Sequence, residues 1–354
     1  NKNIVIQSAS NGPFTITQEV AAGQSDPFMV MYNTTGVLTL KNIAFDGNGD
    51  KTQLRVGGFF LWSGTMIMDS GAVIKNISAD TNNSGAAGIT NRAGKIIMKS
   101  GAEVYNCKNA SLIGGIYNMG EFVMDGGRIA ACKGLQSGGI LNVGQMKVSG
   151  LVTISGNTLI SGEDSNVQSS RKITIDAIGL DNGSRVGVQW YYLTPSVGNP
   201  IDITNQSNGD YSGMFVSDNT AYTVGNSGTG VNQVLQLVAP DITAPLLTPG
   251  IVTRTSDTAG RVNFTSNEAG SYYYALVADG GAEPTIDTSG LGTACTTGET
   301  TITNPTGLTA GAMDIYIKVK DGSGNVSSAI KIDIIIFTPS GSSSGGSGNH
   351  GSTS

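Results

Sequence analysis

The chain has 354 residues, of which 51 are glycine, while aromatic residues make up only 6% and charged residues 13%. Glycine at this level without a Gly-X-Y period excludes collagen, and regularly spaced apolar residues argue against disorder, so a turn-rich, all-β protein is predicted. The formal net charge of −6, without any cluster of Lys or Arg, argues against nucleic acid or an anionic membrane as partner.

The chain opens with NKNIVIQ, which is strand-like and has no signal-peptide pattern, so we expect a fragment of a longer protein. Between residues 29 and 160 the sequence repeats. Glycines mark equivalent corners at spacings of 28, 30, 26 and 24 residues: Gly36, Gly64, Gly94, Gly120 and Gly144. Two and four residues after each glycine come apolar pairs: Leu38/Leu40, Met66/Met68, Ile96/Met98, Phe122/Met124 and Met146/Val148.

Two more apolar columns recur once per repeat: Phe59, Ile89, Ile116, Ile140 and Ile74, Val104, Ile129, Ile154. Each repeat contains three short runs in which every second residue is apolar, and this pattern predicts three strands. Repeats of this length that stack on one another predict a parallel β-helix. Asparagines near the corners are expected to hydrogen-bond along the stack, interrupted by Leu61: Asn33, Asn91, Asn118 and Asn142.

The period fades after residue 160, although the sequence stays rich in strands. We expect residues 163–239 to finish and cap the β-helix, which forms one domain over residues 1–239. Prolines around residue 245 mark a linker, and about seven strands over residues 240–337 predict a small β-sandwich with a hairpin at DGSGN. Residues 338–354 form a flexible, disordered Gly/Ser tail that we expect to lead to further domains.

Residues 29–160, with GGIYNMGEFVMDGG at 114–127, resemble the pectin-lyase-like right-handed parallel β-helix repeats of Gram-positive bacterial surface proteins. Residues 241–336 resemble the Ig-like or fibronectin-like modules that follow such repeats, in ITAPLLTPGIVTRTSDTAGRVNFTSNEAGSYYYALV and VKDGSGNVSSAIKIDI. The resemblance implies a secreted protein of the cell surface, adhesin-like or a stalk, which attaches to the cell wall through domains outside this chain.

The residues that could carry catalysis are sparse. Asp69, Lys99 and Asp125 are predicted to face outward on successive rungs, which places the two carboxylates about 10 Å apart. That spacing suits an inverting glycosidase, but a ladder of ion pairs around Lys99 is the interpretation we favour. Arg128 and Lys147 lack the acidic cluster that a calcium-dependent lyase needs. The one histidine, His350, excludes a Ser/His/Asp arrangement, so we predict no enzyme.

Neither a cofactor nor a metal is predicted. DGNGD at Asp46–Asp50 begins like a calcium loop, but Lys51 and Gly57 replace the required glycine and glutamate, so a glycine-rich turn is favoured over calcium binding. The hairpin is likewise favoured for DGSGN at Asp321–Asn325. Three cysteines remain: Cys107 and Cys132 on adjacent rungs, favoured as two buried thiols over a disulfide, and Cys295 without a partner.

An outward column before the asparagine corner carries the candidate binding residues. Its members are Tyr32, Phe60, Thr90, Tyr117 and Leu141, with Trp62 nearby, and the predicted site comprises Tyr32, Phe60, Trp62 and Tyr117. Exposed aromatic rings suit an extracellular glycan or a host or matrix protein, although a covering loop or cross-strand stapling would also explain them. QWYYL at Trp190–Leu193 is predicted to pack in the core of the cap. We expect a monomer that is an adhesin, with a pure spacer or a polysaccharide-degrading enzyme as alternatives.

Overall fold

A computed structural model describes residues 2–9, 13–18, 27–32, 35–49, 53–54, 57–79, 85–228 and 232–339. The described secondary structure is nearly all β, with a 3₁₀ turn at Ser212–Met214. The chain divides into two compact units, Asn1–Pro240 and Asp241–Ser354. The Gly/Ser tail predicted from residue 338 lies almost wholly outside the described residues, as does His350.

The first unit is a parallel β-solenoid of about 6 turns. Its strands, in chain order, are β1 (Ile4–Gln7), β2 (Phe14–Thr17), β3 (Met29–Met31), β4 (Val37–Lys41), β5 (Ile43–Asp46), β6 (Gln53–Leu54), β7 (Phe59–Leu61), β8 (Thr65–Met68), β9 (Ala72–Lys75), β10 (Ser78–Ala79), β11 (Ile89–Asn91), β12 (Lys95–Lys99), β13 (Glu103–Tyr105), β14 (Lys108–Asn109), β15 (Ile116–Asn118), β16 (Glu121–Ala130), β17 (Lys133–Gly134), β18 (Ile140–Asn142), β19 (Gln145–Ser155), β20 (Thr158–Leu159), β21 (Val167–Ser169), β22 (Thr174–Leu180), β23 (Arg185–Trp190), β24 (Ile201–Asp202), β25 (Phe215–Ser217), β26 (Thr223–Ser227) and β27 (Val234–Val238).

Three faces make up each turn of the solenoid. Face A stacks β1, β4, β8, β12 and the first halves of β16 and β19; face B stacks β2, β5, β9, β13 and the second halves of β16 and β19; face C stacks β3, β7, β11, β15, β18 and β21. A small lateral sheet joins β6, β10, β14, β17 and β20. The parallel architecture predicted from the repeats is therefore confirmed.

The predicted apolar columns form the core. Leu38, Met66, Ile96, Phe122 and Met146 pair in register on face A, and all are at most 2% exposed. The columns through Phe59 and Ile74 are likewise buried on faces C and B. Because side chains alternate across a strand, one set of apolar positions fills the interior of every turn.

The coil extends beyond residues 29–160 in both directions. Before it, β1 pairs with β4 and β2 with β5, so one more turn precedes the first predicted repeat. After it, β21, β22, β23 and β25 continue the parallel pairing, and β24, β27 and β26 then form a three-stranded antiparallel sheet. The period fades in the sequence because the segments between strands change length, and the parallel pairing between rungs continues with a register shift at Val148/Gly150.

A buried asparagine ladder runs along the end of face C. The Nδ2 of Asn91 donates to Oδ1 of Asn118 at 2.9 Å, and Asn118 donates in turn to Asn142 at 2.7 Å. Asn142 passes the chain of hydrogen bonds to the hydroxyl of Ser169. Asn33 lies outside the described residues, and the strand register aligns Met31, rather than Asn33, with Leu61.

The glycine pairs of the repeat are explained by close stacking of rungs. A Cβ on Gly114 would lie 2.5 Å from the carbonyl oxygen of Gly138, and one on Gly115 would lie 2.4 Å from that of Gly139. Contacts this short between a Cβ and backbone do not occur in stable proteins, so the corner between the lateral sheet and face C requires glycine at these positions.

Cys107 and Cys132 lie in the core as free thiols, as predicted. Both are 0% exposed, and each thiol donates to a carbonyl oxygen two residues earlier, at 3.5 Å. The hydrogen bond with Cys132, together with burial, raises the pKa of Cys107 well above its ordinary value. Such thiols fill space and are chemically inert. Cys295, in the second unit, is also free and buried.

The second unit contains two antiparallel sheets around one core. Its strands are β28 (Leu247–Arg254), β29 (Gly260–Ser266), β30 (Gly270–Ala278), β31 (Thr293–Cys295), β32 (Gly298–Thr303), β33 (Met313–Asp321) and β34 (Ile330–Ile334). One sheet has the order β28–β29–β32 and the other β31–β30–β33–β34, and their buried side chains form a single apolar cluster. The predicted hairpin at DGSGN joins β33 to β34.

Candidate binding groove on the solenoid

An exposed aromatic cluster lies at the corner where face C meets face A. Tyr32 is 68% exposed and Trp62 44%, and their rings meet edge to face with centroids 5.8 Å apart. Phe60 packs beside Trp62 at 5.3 Å. The guanidinium of Arg92 lies over both Phe60 and Trp62, at 5.9 and 5.4 Å from the ring centroids. We call these four residues the aromatic cluster.

The cluster differs in register from the predicted stripe. Val30, and not Tyr32, pairs with Phe60, so Tyr32 falls one position past the strand, next to Trp62. The backbone amides of Trp62 and Arg92 donate to Met31 and Leu61, which shows that these two residues occupy the same position on successive turns. The first corner is two residues longer than the next, and counting back from its glycine therefore misplaced Tyr32.

Tyr117 does not join the cluster. Thr90, between Phe60 and Tyr117 in the column, is 0% exposed and accepts a hydrogen bond from the amide of Ala86. Phe60 and Tyr117 are both half-buried, but their neighbours differ. Phe60 lies beside the exposed Trp62, whereas Tyr117 packs in a separate apolar cluster with Ile113 of its own turn, Leu141 of the next turn and Tyr191. The stripe predicted as one surface is therefore divided.

A groove runs along the corner beside the aromatic cluster. It has a volume of about 680 Å³ and follows the stacked corner glycines Gly64, Gly94, Gly120 and Gly144. Ser63 and Ala93, which directly follow Trp62 and Arg92, line it, and Met119 and Val143 continue the same wall on the next turns. On the face A side the lining side chains are polar: Thr65, Lys95, Glu121 and Gln145.

Two further depressions continue this groove along the solenoid. One, of about 350 Å³, shares Gly144, Gln145 and Arg171 with the first and reaches Asn205. The other, of about 520 Å³, shares Lys172 and Asn205 with the second and is lined by Asp202, Thr204, Gln206 and Val234 as well. We call the three together the corner groove. Sequence analysis missed it and also missed Arg92, although the corner position two residues before each glycine would have indicated Arg92.

The charged side chains of the corner groove are paired along the stack. Lys95 contacts Glu121 at 2.8 Å, and Lys172 contacts Asp202 at 2.7 Å. Arg171 donates from Nε to the carbonyl oxygen of Val143. The charged lining of the groove therefore consists of two ion pairs and one further cation, Arg171, which is held by a backbone carbonyl.

The residues considered for catalysis are dispersed. Lys99 pairs with Asp69 at 3.7 Å, whereas Asp125 accepts a hydrogen bond from Ser149 at 2.7 Å, so the predicted ladder forms on one side of Lys99 only. Lys147 pairs with Asp176, and this hydrogen bond raises the pKa of Lys147, which is the wrong direction for a general base.

Arg128 lies on another face of the coil from Lys147. It belongs to face B and pairs with Glu103 at 3.1 Å. The two cations considered for lyase chemistry therefore do not share one groove.

Acidic side chains occur at two places that could be considered as cation-binding sites. Burial alone would raise the pKa of Asp46, but the amide of Asn48, the side chain of Asn76 and Lys75 together lower it, and they occupy its oxygens. Asp50, the end of that predicted turn, lies outside the described residues. In the second unit, carboxylate oxygens of Asp241, Glu268 and Asp321 lie within 4.8 Å of one another.

The segment QWYYL is only partly buried. Trp190 packs against the solenoid core, as predicted, and Tyr191 packs near Tyr117 and accepts a hydrogen bond from Gln136. Tyr192 and Leu193, however, are 73% and 59% exposed, so core packing was wrong for these two residues. They follow the end of β23, where the chain leaves the coil.

No helix in the described part of the chain is long and apolar enough to span a membrane. In the comparisons with known proteins, no family model, no curated protein and no solved structure matches this chain.

Proposed function

We propose that this chain belongs to a secreted, non-catalytic bacterial cell-surface protein, adhesin-like in role, whose solenoid binds glycan through the aromatic cluster. The observation that carries the proposal is the exposure of Tyr32 and Trp62 beside Phe60 and Arg92. Aromatic rings left in water at one spot mark contact surfaces, and their faces suit the C–H groups of a sugar ring.

The repeat pattern supports the wider assignment. A parallel solenoid built from GGIYNMG-type units is what the resemblance to pectin-lyase-like repeats of Gram-positive surface proteins implies. The second unit, with two antiparallel sheets around one core, is compatible with an Ig-like module in the same kind of protein. Fold likeness alone does not assign a ligand, so the ligand is argued from the aromatic cluster.

The carboxylates on this part of the solenoid argue against catalysis, because they are held in ion pairs. Glu121 and Asp202, the carboxylates that line the corner groove, are bound to Lys95 and Lys172, and Asp69 is bound to Lys99. An acid and a base for glycoside hydrolysis would need two carboxylates facing one substrate with separated pKa values. The pairing of these side chains favours a binding role.

The test is a glycan-array scan of the intact chain, of a Tyr32→Ala/Phe60→Ala/Trp62→Ala variant, and of Tyr192→Ala as a matched exposed-tyrosine control. We expect specific binding that the triple variant weakens by about 30-fold or more, the loss typical of a binding hot spot. The Tyr192 control should bind normally. Absence of binding to every glycan would contradict the proposal and leave a spacer as the function.

A further inference from the structure

We infer that face A of the solenoid is a contact surface between two copies of this chain, which dock face to face with their coil axes antiparallel. The twofold axis of the dimer runs along the strands, between β12 and β16. The outward side chains of face A, their charges and their register carry this inference, which does not depend on the aromatic cluster.

Three rows of side chains point outward from face A, because every second residue of its strands faces away from the core. The middle row is apolar over three turns: Ile67, Ile97 and Val123 pair in register, and all three are half-buried. Adjacent apolar side chains on a surface mark a place of contact, and two sheets can pack face to face over such a stripe.

A row of polar and charged side chains lies on each side of this stripe. In turn order, the row beside the corner groove is Thr65, Lys95, Glu121 and Gln145, and the opposite row is Asp69, Lys99, Asp125 and Ser149. In both rows a lysine on β12 is followed by a carboxylate on β16. The charge therefore changes sign across the line between these two strands.

A twofold axis along that line makes the pattern self-complementary. Rotation about the strand direction keeps each row above the same row of the second copy and exchanges β12 with β16. The residues that then face each other are three pairs: Lys95 and Glu121, Ile97 and Val123, and Lys99 and Asp125. Opposite charges across an interface favour the correct register, and a contact of this isologous kind closes at two copies.

Charge selects against the neighbouring registers. An axis on β12 itself would place Lys95 and Lys99 over the same residues of the second copy, and an axis on β16 would do so with Glu121 and Asp125. Like charges that face each other oppose binding. An axis between β8 and β12 would place Lys95 over Thr65, which leaves one of the two charged rows without partners.

Asp125 is the carboxylate of this face that lacks a cation in its own chain. Among the described residues it forms no ion pair, and it accepts a hydrogen bond from the hydroxyl of Ser149. Lys99, its neighbour in register, is 3.7 Å from Asp69 instead. Docking brings Lys99 of the second copy over Asp125 and so supplies the missing cation.

The size of the face predicts a weak and reversible dimer. Five steps of about 4.8 Å from β4 to β22 give about 24 Å along the coil, and strands of five residues give about 16 Å across it. About 400 Å² of sheet face per copy is small for an interface, and small interfaces belong to transient complexes. At low concentration the chain is therefore expected to be a monomer.

The first test is sedimentation equilibrium of the intact chain between about 10 µM and 1 mM. We expect a monomer–dimer equilibrium whose dissociation constant rises about tenfold or more between about 0.05 and 1 M NaCl, because salt screens the facing charges. A monomer at every concentration would overturn the inference. A dimer that high salt does not weaken would contradict the charge pairing.

Two charge-reversal variants test which residues face each other. In Lys95→Glu/Lys99→Glu all facing charges become negative, and in Glu121→Lys/Asp125→Lys all become positive. Neither variant should self-associate, whereas an equimolar mixture should form a dimer within about threefold of the original affinity, since unlike charges face each other again. A mixture that stays monomeric would overturn the proposed pairs.

The matched control is Lys75→Glu/Arg128→Glu, which reverses two cations on face B. It should dimerise like the original chain. Loss of dimerisation in this control would mean that the overall charge, rather than face A, governs association. Melting temperatures of all variants establish that each one is folded.

Cross-linking tests the register. The three native cysteines are buried, so thiols introduced on face A are the reactive ones. A short bismaleimide should join Ile97→Cys chains to Val123→Cys chains more efficiently than it joins either kind to itself. More efficient linkage of Ile97→Cys chains to Ile67→Cys chains would place the axis between β8 and β12 and overturn the proposed register. Glycan binding is not measured here, so failure of the dimer leaves the proposed function as it stands.

Discussion

Asp218 shows how one buried polar residue is accommodated at the end of the coil. Only 9% of it is exposed, and both carboxylate oxygens accept hydrogen bonds from Asn166, from the backbone amide at 2.6 Å and the side chain at 2.7 Å. Asn166 in turn accepts from Asn157, which donates to the carbonyl of Ile129. This network ties four separate segments together, and burial still raises the pKa of Asp218 to about 6.

We predict that this carboxyl makes the solenoid less stable as pH rises. The pKa in the folded state exceeds the ordinary value of 3.8, so the folded state holds the proton more tightly. The stabilising contribution of the protonated carboxyl is fully present below pH 3.8 and is lost as the pH rises through about 6. A shift of two units corresponds to about 3 kcal/mol at most.

The measurement is urea unfolding at pH 4 and pH 7, followed by tryptophan fluorescence. Both tryptophans, Trp62 and Trp190, lie in the solenoid, so the signal reports this unit in the intact chain. The Asp218→Asn variant should lose the pH dependence that Asp218 contributes. An unchanged pH profile in that variant would show that Asp218 does not titrate in this range.

At the scale of the element, the corner glycines and the asparagine ladder determine how closely turns can stack. The ladder pairs each side chain with the next turn, and it ends at Asn91 because Leu61 takes the next position. The buried Oδ1 of Asn91 has no hydrogen-bond partner among the residues that the structure describes. The glycines act differently, since they leave room for the carbonyl oxygen of the neighbouring turn. Stacking therefore depends on one hydrogen-bonding column and one column without side chains.

A Gly115→Ala substitution is predicted to destabilise the solenoid by about 2 kcal/mol or more, because its Cβ would overlap the carbonyl oxygen of Gly139. Gly213→Ala is the matched control, since a Cβ there meets nothing within 4 Å. Its effect should stay within about 0.5 kcal/mol. Urea midpoints from tryptophan fluorescence give both values. Similar midpoints for the two variants would mean that the turns can move apart at little cost.

At the scale of the whole solenoid, stability follows from contacts between neighbouring turns. A central strand such as β12 pairs on both sides, with β8 and β16, and buries Ile96 and Met98 completely. The first turn pairs on one side only among the described residues: β1 with β4 and β2 with β5. In repeat architectures, local stability is set largely by such neighbour contacts.

Hydrogen–deuterium exchange should therefore be graded along the coil. Peptides from β1 and β2, where Ile4 and Phe14 are 50% and 56% exposed, should exchange orders of magnitude faster than peptides from β12 and β16. Mass spectrometry of peptic fragments resolves this gradient. Uniform protection from the first turn to the middle would show that the coil opens only as a single cooperative unit.

Much of the fold could be predicted from the sequence alone. The alternation of apolar residues determined the strands, their repetition at 24 to 30 residues determined the parallel stacking, and both together placed Met66, Phe122 and Ile154 in the core. The same repetition predicted the ladder from Asn91 to Asn142 and the two buried thiols. These features follow from a short-range periodicity of the sequence that recurs in each turn.

Other features were decided only by the tertiary structure. The longer first corner put Tyr32 beside Trp62, and Tyr117 packs in an apolar cluster that includes Tyr191 from a later turn. Asp125 accepts a hydrogen bond from Ser149 instead of pairing with Lys99. The corner groove exists because a column of glycines leaves a depression between two rows of side chains. Each of these depends on loop length or on contacts between residues far apart in the chain, and a local pattern of hydrophobicity carries no information about either.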